Sequence, residues 1–411
     1  MDERDRAESS RRNQSNGKKP QHRDPKEVTW KERISHFTWS WFECTMATGA
    51  MATLLAQQPF KFDGLLTIGK IFFILDLVLF VAFSTCITAR FIMNPGTLGL
   101  SLHHPRESFF FGTFWVSIAF IIYSIELYAV PVCGPWLIRT LEILFWIYAG
   151  CAILVVVFQY HVIFDEECLP VAEAMPAWLL PAYPFLVLGP LAAVLEHSQP
   201  QDRGLPMMIG GITFQGLGWS ISFIMYTIYF IRLINGEIPS EKERPAMYLA
   251  VGPAAYTSNM LVALGNDAPQ VIPADYLSIG GSVPTGDVWK AAGVPAGIFL
   301  WFLGFWFFAL TSVSVIYGWK KMEFSLVYWS FIFPQVGLTI AAIQIGNVLQ
   351  SDGIKGVTSA MTILLVIGWL VVAAANIKGA WSRKVLWPED EDVEDMHARP
   401  ADEEFAKQRR D

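Results

Sequence analysis

Ten long apolar stretches constrain the fold of this 411-residue chain more than any other feature. A helix needs about 20 apolar residues to cross the roughly 30 Å hydrocarbon core of a bilayer, and ten stretches meet or approach that length. Only 16% of the residues are charged, below the share of about 25% that is usual in soluble domains. The sequence therefore predicts an all-α integral membrane protein with ten transmembrane helices. We call the stretches segments 1 to 10: residues 37–57, 65–91, 109–129, 136–159, 177–196, 205–234, 246–264, 289–318, 325–346 and 356–380.

Polar tails flank the ten segments and divide the chain into three parts. Residues 1–32 lack an apolar run and are predicted to form a disordered N-terminal tail. Residues 33–384 form the transmembrane domain, and residues 385–411 form an acidic C-terminal tail. Ten acidic and four basic residues lie between Glu389 and Asp411, so this tail carries −6 of the net charge of −7. The rest of the chain is nearly neutral.

The short loops predict the orientation, because loops on the cytosolic side are enriched in Lys and Arg. The loop after segment 4 departs from this pattern, since it holds Asp165, Glu166 and Glu167 and no basic residue. The remaining loops place both termini and the start of every odd segment in the cytosol. The basic residues on that side are Lys26, Lys31, Arg33, Arg106, Lys242, Arg244, Lys320, Lys321, Lys378, Arg383 and Lys384.

The odd and even segments differ in composition. Even segments are plainer, and segments 2, 4, 8 and 10 are bulky and apolar almost throughout, whereas odd segments carry proline, glycine and hydroxyl residues, including Pro190, Pro253 and Pro334. A proline within a span frees a backbone carbonyl, which is tolerated where neighbouring helices or a water-filled cavity satisfy it. We interpret this alternation as five helical hairpins around a central pore, with odd helices inside and even helices outside. The alternative is that the small residues only mark close helix packing.

Motifs for metal, nucleotide and covalent chemistry are missing from the sequence. The five cysteines are scattered singly, His103 and His104 are adjacent rather than at ligand spacing, and no Walker lysine motif occurs. We therefore expect no metal, no cofactor and no nucleic-acid partner. A membrane-embedded enzyme such as an acyltransferase is the alternative from another class, but it needs a polar catalytic cluster, and no convincing His and Asp constellation is present.

Four sequence blocks in order resemble a known family. They are HFTWSWFECTMATGAMATLL, MPAWLLPAYPFLVLGPLA, MYTIYFIRLINGEIPSEKERPAMYLAVGPAAYT and YWSFIFPQVGLTIA. Together they resemble the tellurite-resistance/dicarboxylate transporter family, to which slow anion channels also belong, and within it the fungal malic acid transport branch. The resemblance runs from about His36 to Trp381. It implies plasma-membrane transport of malate, with succinate and fumarate as further C4 dicarboxylates, and a homotrimer surrounded by lipid. Sulfite or another small inorganic anion is the alternative substrate within the same fold.

The resemblance also implies a phenylalanine gate in segment 9. The matching position is Phe333, directly before Pro334, with Phe331 as the rival. An aromatic ring across a narrow pore stops hydrated ions by dewetting, and helical spacing places Ser330, Phe333 and Gly337 on one face. We expect hydroxyl and small residues of the odd segments to line the path, although hydroxyls bonded to their own backbone are an equal alternative. The expected lining residues are Thr45, Thr48, Gly49, Thr113, Thr257, Ser330 and Gly337.

The predicted orientation favours anions at the cytosolic end. Odd helices that start in the cytosol direct their positive dipole ends inward, and we expect His36, Arg106, Arg244 and Lys321 to attract or bind the substrate anion. The alternative is that these residues only follow the positive-inside rule. Glu43 lies within segment 1, where an ionised carboxylate is costly, and it is a candidate proton or pH site. A glutamate turned toward a helix interface is the equal alternative. Asp76, in segment 2, is expected to be paired, protonated or near an interface, with Lys70 as its partner if that side chain extends toward it.

Overall fold

The computed structural model describes residues 29–104, 107–167, 169–236, 238–278 and 283–382. Within these ranges the regular structure is entirely helical. Residues 1–28 of the predicted N-terminal tail lie outside the described residues. The predicted C-terminal tail lies wholly outside them. A short helix, Trp30–Ser35, precedes segment 1, and the Thr29 and Glu32 side chains cap its start reciprocally.

Each even segment is one long α-helix. Bulky apolar side chains favour uninterrupted helices, and the prolines of these helices all lie in the first third of their helix. Pro135 is the first residue of its helix, and Pro206 and Pro295 lie within theirs. The most apolar windows of these helices are only 17% to 39% buried. Their outer faces therefore consist of exposed apolar side chains, as contact with lipid requires. The five helices are Leu65–Met93, Pro135–Val162, Gln201–Ile234, Thr285–Gly318 and Asp352–Trp381.

Each odd segment begins as a 3-10 helix and continues as an α-helix. Prolines contribute to this change, because Pro176 and Pro245 occupy first turns of 3-10 runs while Pro184 and Pro334 occupy first turns of α-helical parts. The pairs of elements are Trp39–Trp41 with Phe42–Ala56, Ser108–Phe110 with Phe111–Tyr128, Pro176–Ala182 with Tyr183–Leu186 and Leu188–Leu195, Arg244–Ala250 with Val251–Val271, and Leu326–Phe331 with Phe333–Val348.

Short elements connect the segments. The α-helix Thr97–Leu102 follows segment 2, and a π-helical turn, Ile163–Glu167, ends segment 4. Five 3-10 turns complete the connections within the described residues: Val130–Val132, Val171–Glu173, Glu196–Ser198, Tyr276–Ser278 and Trp319–Lys321.

The odd segments form the interior of the molecule. Segments 3, 5 and 9 are 61%, 94% and 83% buried in their apolar windows, and nearly every residue of the helix Phe42–Ala56 is buried. Segment 1 packs on segment 3, 3 on 5, 5 on 7, 7 on 9, and 9 on 1, while each even segment packs on the odd segment before it.

Eight helices among the described residues are long and apolar enough to cross a membrane. The chain is therefore an all-helical, multi-pass membrane protein. Segments 1 and 7 are helical but are not among the eight. This agrees with their position inside the molecule, where a helix does not need an apolar surface toward lipid. Ten crossings therefore stay a prediction.

Candidate functional site

Four aromatic rings from four odd segments meet at the centre of the molecule. The Phe333 ring is fully buried, and its centroid lies 5.6 Å from that of Phe120, 5.7 Å from that of Tyr183 and 5.0 Å from that of Tyr256. We call these four residues the aromatic cluster. The rings lie at the distances at which aromatic side chains stabilise one another, so they join segments 3, 5, 7 and 9 at this level. The rival residue, Phe331, lies outside the cluster and packs on Tyr248 and Tyr328.

Proline residues shape the backbone around the aromatic cluster. Pro334 has no N–H to donate to the carbonyl of Ser330 four residues earlier, and the Gln335 side chain donates to that carbonyl instead, at 3.3 Å. Pro253 likewise cannot bond to the Leu249 carbonyl, which accepts a hydrogen bond from the Tyr183 hydroxyl at 2.5 Å. Side chains next to the cluster therefore satisfy both carbonyls.

The regular α-helix of segment 9 begins at Phe333, after the 3-10 run Leu326–Phe331. Phe333 and Gly337 therefore have the helical spacing that was predicted. Ser330 does not, because it belongs to the 3-10 run. The Ser330 hydroxyl donates to the Val327 carbonyl within its own 3-10 run.

Glycines allow the aromatic cluster to pack closely. A Cβ atom at Gly337 would lie 2.8 Å from the Tyr256 ring, and one at Gly252 would lie 2.3 Å from the Tyr183 hydroxyl. Gly49 of segment 1 lies against Phe120, since a Cβ atom there would be 3.0 Å from the Phe120 Cβ. All five odd segments thus reach the cluster or its immediate neighbours.

The predicted lining hydroxyls are buried and hydrogen-bonded. Thr45, Thr48 and Thr113 donate to carbonyls of their own segments at 3.0, 2.7 and 2.6 Å. This agrees with the alternative that these hydroxyls bond to their own backbone. The Thr257 hydroxyl accepts a hydrogen bond from the Gln215 amide at 2.9 Å. Thr45 also bonds to Ser117 at 2.8 Å. In the present conformation these hydroxyls stabilise helix contacts.

Segments 1 and 2 each contain a carboxyl group that is buried without a hydrogen-bond partner among the described residues. Glu43 is fully buried and lies close enough to Tyr183 of the aromatic cluster to interact with it electrostatically. Asp76 is also fully buried, and its Oδ2 would be 2.7 Å from a Cβ atom at Gly49. The expected pairing with Lys70 is wrong: Lys70 is exposed on the outer face of segment 2, whereas Asp76 is directed toward segment 1.

The predicted anion-attracting residues differ in their surroundings. Arg244 uses its guanidinium group locally, donating to the carbonyls of Pro239 and Ser314 at 3.2 and 3.3 Å. Lys321 keeps 78% of its side chain exposed and lies 3.5 Å from Glu241. His36 is half-buried and ends the first short helix. Arg106 lies outside the described residues.

A buried ion pair near the predicted cytosolic end was missed from the sequence. Arg90, at the end of segment 2, bonds to Glu107 at 2.5 Å and to the Phe37 carbonyl at 2.8 Å. Burial raises the pKa of Glu107, and the Arg90 guanidinium opposes this rise. The pair ties segment 1 to the connection between segments 2 and 3. Both residues lie at segment ends, which by itself indicates only a solvent-exposed position.

Comparison with known proteins places the chain among transport proteins. A family model described as SLAC1, voltage-dependent anion channel, matches residues 36–377. A malic acid transport protein of Schizosaccharomyces pombe is 31% identical over 376 residues, which cover 91% of this chain and 84% of that protein. A sulfite efflux pump of Arthroderma benhamiae is 28% identical over 357 residues, covering 86% and 93%. These names describe transporters and channels, so they give no support to the alternative of an enzyme.

Proposed function

The chain belongs to the SLAC1 family of voltage-dependent anion channels, and from this premise we propose that it transports C4 dicarboxylates, chiefly malate and also succinate and fumarate. The family membership agrees with the resemblance inferred from the four sequence blocks. The malic acid transport protein of fission yeast, at 31% identity, supports malate in particular. We propose that ten helices cross the membrane as five hairpins, with the path through the ring of odd segments and Phe333 as its gate.

The observation that supports the gate best is the position of Phe333 among Phe120, Tyr183 and Tyr256. Its ring contacts rings from three other odd segments, and it belongs to the first turn of an α-helix that follows a 3-10 run. A small rotation at this junction would move the ring out of the cluster without unfolding the helix. An apolar ring in a narrow pore also prevents wetting, which closes the path to hydrated anions.

Flux of labelled malate into liposomes that contain the purified protein tests both the substrate and the gate. We expect Phe333→Ala to raise the initial rate about tenfold or more, which corresponds to lowering a barrier by about 1.4 kcal/mol. Phe331→Ala is the matched control, because Phe331 is an aromatic residue of the same segment outside the cluster. A higher rate in Phe331→Ala but not in Phe333→Ala would assign the gate to Phe331. Phe333→Leu keeps most of the packing volume if Phe333→Ala is unstable.

Sulfite is a second candidate substrate, because a sulfite efflux pump is 28% identical over 86% of this chain. Competition decides between the two readings. We expect succinate and fumarate to compete with labelled malate more strongly than sulfite does at equal concentration. Stronger competition by sulfite, together with direct sulfite flux above that of protein-free liposomes, would favour the inorganic anion.

We also propose that Glu43 carries a proton during transport. An ionised carboxylate that is buried without a partner costs several kcal/mol, so Glu43 favours its neutral form while the path is closed. We expect an inward proton gradient to accelerate malate uptake by the wild-type protein and to have little effect on Glu43→Gln. Asp76→Asn is the control, since Asp76 is an equally buried carboxyl on an outer segment. Equal acceleration of Glu43→Gln and wild-type uptake would exclude Glu43 as the proton site.

The basic residues at the predicted cytosolic end are proposed to concentrate the anion. Lys321 suits this role because its ammonium group is exposed, and we propose His36, Arg106 and Arg244 as further members of this group. We expect Lys321→Gln to raise the malate concentration for half-maximal flux at low salt and to have no effect at high salt, because mobile ions screen exposed charges. Asp352→Asn, at an exposed acid of the opposite predicted side, is the control and should leave that concentration unchanged.

The remaining proposals concern the setting of the protein. We propose that it lies in the plasma membrane with both termini in the cytosol and assembles as a trimer. The exposed apolar side chains of the even segments support contact with lipids and with other copies of the chain. Labelling of terminal tags in intact and permeabilised cells tests the orientation, and the mass of the detergent-solubilised protein measured by light scattering tests the trimer.

A further inference from the structure

A cavity of about 220 Å³ lies where segments 5 and 7 end and segment 6 begins. It is at the opposite end of the odd segments from the basic residues discussed above, on the side predicted to be extracellular. We call it the carboxyl cavity because two carboxylic acids lie among its lining residues. The lining residues are Glu196, His197, Gln199, Gln201, Gly204, Asp267, Gln270 and Val271.

The carboxyl group of Glu196 is buried and lacks a partner that would stabilise a negative charge. Its side chain is 3% exposed, and neither carboxylate oxygen has a hydrogen-bond partner among the described residues. It directly follows the helix Leu188–Leu195, so it lies at the negative end of the helix dipole, where a negative charge is unfavourable. An ionised Glu196 is therefore disfavoured by burial, by the lack of a partner and by the helix end.

Neighbouring groups add negative charge rather than neutralise it. Asp267 of segment 7 lines the same cavity, and Glu126 of segment 3 lies next to His197 and Ser198. Both acids also lie near the carboxyl ends of their helices. His197 is the closest basic group, but its Nε2 is 3.2 Å from the Asp267 carboxylate.

The charged groups of the outer helices form no ion pair with Glu196 among the described residues. The helix Gln201–Ile234 contributes Asp202, which is exposed, and Arg203, which lies 3.3 Å from Glu142 of segment 4. Arg139 of segment 4 bonds to the same Glu142 carboxylate at 2.5 Å, so this one carboxylate holds both guanidinium groups, and neither bonds to Glu196.

A proton fits this arrangement better than a metal ion does. The described residues contain no group of three or more His, Cys, Asp and Glu side chains that could hold a metal. One proton on Glu196 removes the buried charge and supplies a donor. Gln199 lines the same cavity, and its Oε1 atom is buried without a hydrogen-bond partner among the described residues. His197 provides a group with access to water, since 61% of its side chain is exposed.

We propose that the carboxyl cavity is a proton-binding regulatory site, in which Glu196 is neutral when the path conducts well and its deprotonation slows anion passage. The slowing follows from Coulomb repulsion between the new charge and an anion that enters or leaves between the ends of segments 5 and 7. The effect on flux rests on the proposed anion transport, whereas the proton site itself does not.

Infrared difference spectroscopy of the protein in liposomes tests the proton site without any transported substrate. Between about pH 5 and about pH 9, the range in which partly and fully buried carboxyls titrate, we expect a protonated-carboxyl band that Glu196→Gln removes. Asp267→Asn should keep the band and move its midpoint to lower pH, because a negative neighbour has been removed. Asp202→Asn, which changes an exposed acid next to the cavity, should leave both unchanged. A spectrum identical in wild type and Glu196→Gln overturns the proposal.

Malate flux with equal pH on both sides tests the regulatory effect. Above about pH 6 both malate carboxylates are ionised, because ordinary carboxyl pKa values lie near 4, so the charge of the substrate is constant. We expect the wild-type rate to fall about fivefold between about pH 6 and about pH 9, equivalent to about 1 kcal/mol, and the Glu196→Gln rate to stay high. The same pH profile in both proteins overturns the regulatory role. Absence of malate flux at every pH, with the infrared band present, counts against the proposed transport and supports the proton site.

Discussion

Single residues control how closely the inner helices approach one another. Gly337 and Gly252 each leave room for a tyrosine of the aromatic cluster, and a single methyl group at either position would overlap that tyrosine. Glu107 and Arg90 act differently, because they hold segment 1 in place through charge in a buried setting. In both cases the residue determines the position of a helix rather than contacting a ligand.

Gly337→Ala is expected to destabilise the protein and disturb the aromatic cluster. The new Cβ atom would press on the Tyr256 ring, and overpacking of this kind costs about 1 to 3 kcal/mol. Gly356→Ala is the matched control, because no atom lies within 4 Å of its added Cβ and alanine has the higher helix propensity. We expect a lower midpoint of thermal unfolding in detergent for Gly337→Ala and an equal or higher one for Gly356→Ala. A similar midpoint for both variants would show that Tyr256 moves aside without cost.

Glu107→Ala is expected to be among the most destabilising single substitutions. It leaves the Arg90 charge buried without its carboxylate, which costs about 3 to 5 kcal/mol. Asp352→Asn removes an exposed partner of Lys355, and a pair of that kind contributes about 1 kcal/mol or less. Thermal unfolding monitored by tryptophan fluorescence compares the two. An equal loss in both variants would mean that Arg90 finds another partner when Glu107 is absent.

At the scale of elements, the inner segments repeat one design. Each starts as a 3-10 helix and changes to an α-helix, and in segments 7 and 9 a proline near the change frees a carbonyl that a side chain then satisfies. A backbone with this arrangement is stable in the interior yet has fewer regular hydrogen bonds than a straight helix. Such junctions are suitable hinges, because little regular structure must break for the chain to bend.

A double-mutant cycle between Gln335 and Pro334 tests the role of the Gln335 side chain. Gln335→Leu leaves the buried Ser330 carbonyl without its donor, which is expected to cost about 1 to 3 kcal/mol. In Pro334→Ala the new backbone N–H can bond to the same carbonyl, so Gln335→Leu should cost much less in that background. Midpoints of thermal unfolding of the four proteins give the interaction. A cost that is equal in both backgrounds would contradict this account of the hydrogen bond.

At the scale of the whole molecule, the two ends of the transmembrane domain meet. Trp369 of segment 10 donates to the Thr48 hydroxyl at 3.1 Å, and Gln58, just after segment 1, donates to the Thr362 hydroxyl at 2.8 Å. Segment 9 also packs directly on segment 1. The two hydrogen bonds join residues more than 300 positions apart, and together with the contact between segments 9 and 1 they close the sequence of inner segments into a ring.

Removal of both hydrogen bonds is expected to weaken this closure. The double variant Trp369→Phe with Gln58→Leu should lose about 2 kcal/mol, from about 1 kcal/mol for each hydrogen bond, and should be cleaved faster by protease at sites in segment 1 or 10. Trp306→Phe is the control, because Trp306 belongs to an outer helix and is 40% exposed. Equal protease sensitivity of the double variant and the control would show that packing alone closes the ring.

Much of the architecture was predictable from the sequence, because hydrophobic length and composition are local properties. The ten segments are helical in the structure, and eight of them have the length and apolarity of membrane spans. The bulky even segments have exposed outer faces and the proline- and glycine-containing odd segments are buried, since lipid accepts only apolar surfaces. Family membership was also accessible, because four blocks in order are specific.

Tertiary structure decided the surroundings of the individual side chains. The sequence offered Lys70 as a candidate partner of Asp76 and left Arg90 and Glu107 at segment ends without an assigned role. Packing directs Asp76 inward and buries Arg90 and Glu107 as a pair. It also brings together Phe120, Tyr183, Tyr256 and Phe333, which belong to four different segments. Hydrophobic length determines that a helix spans the membrane, but the rotation of each helix about its axis depends on contacts between segments far apart in the chain.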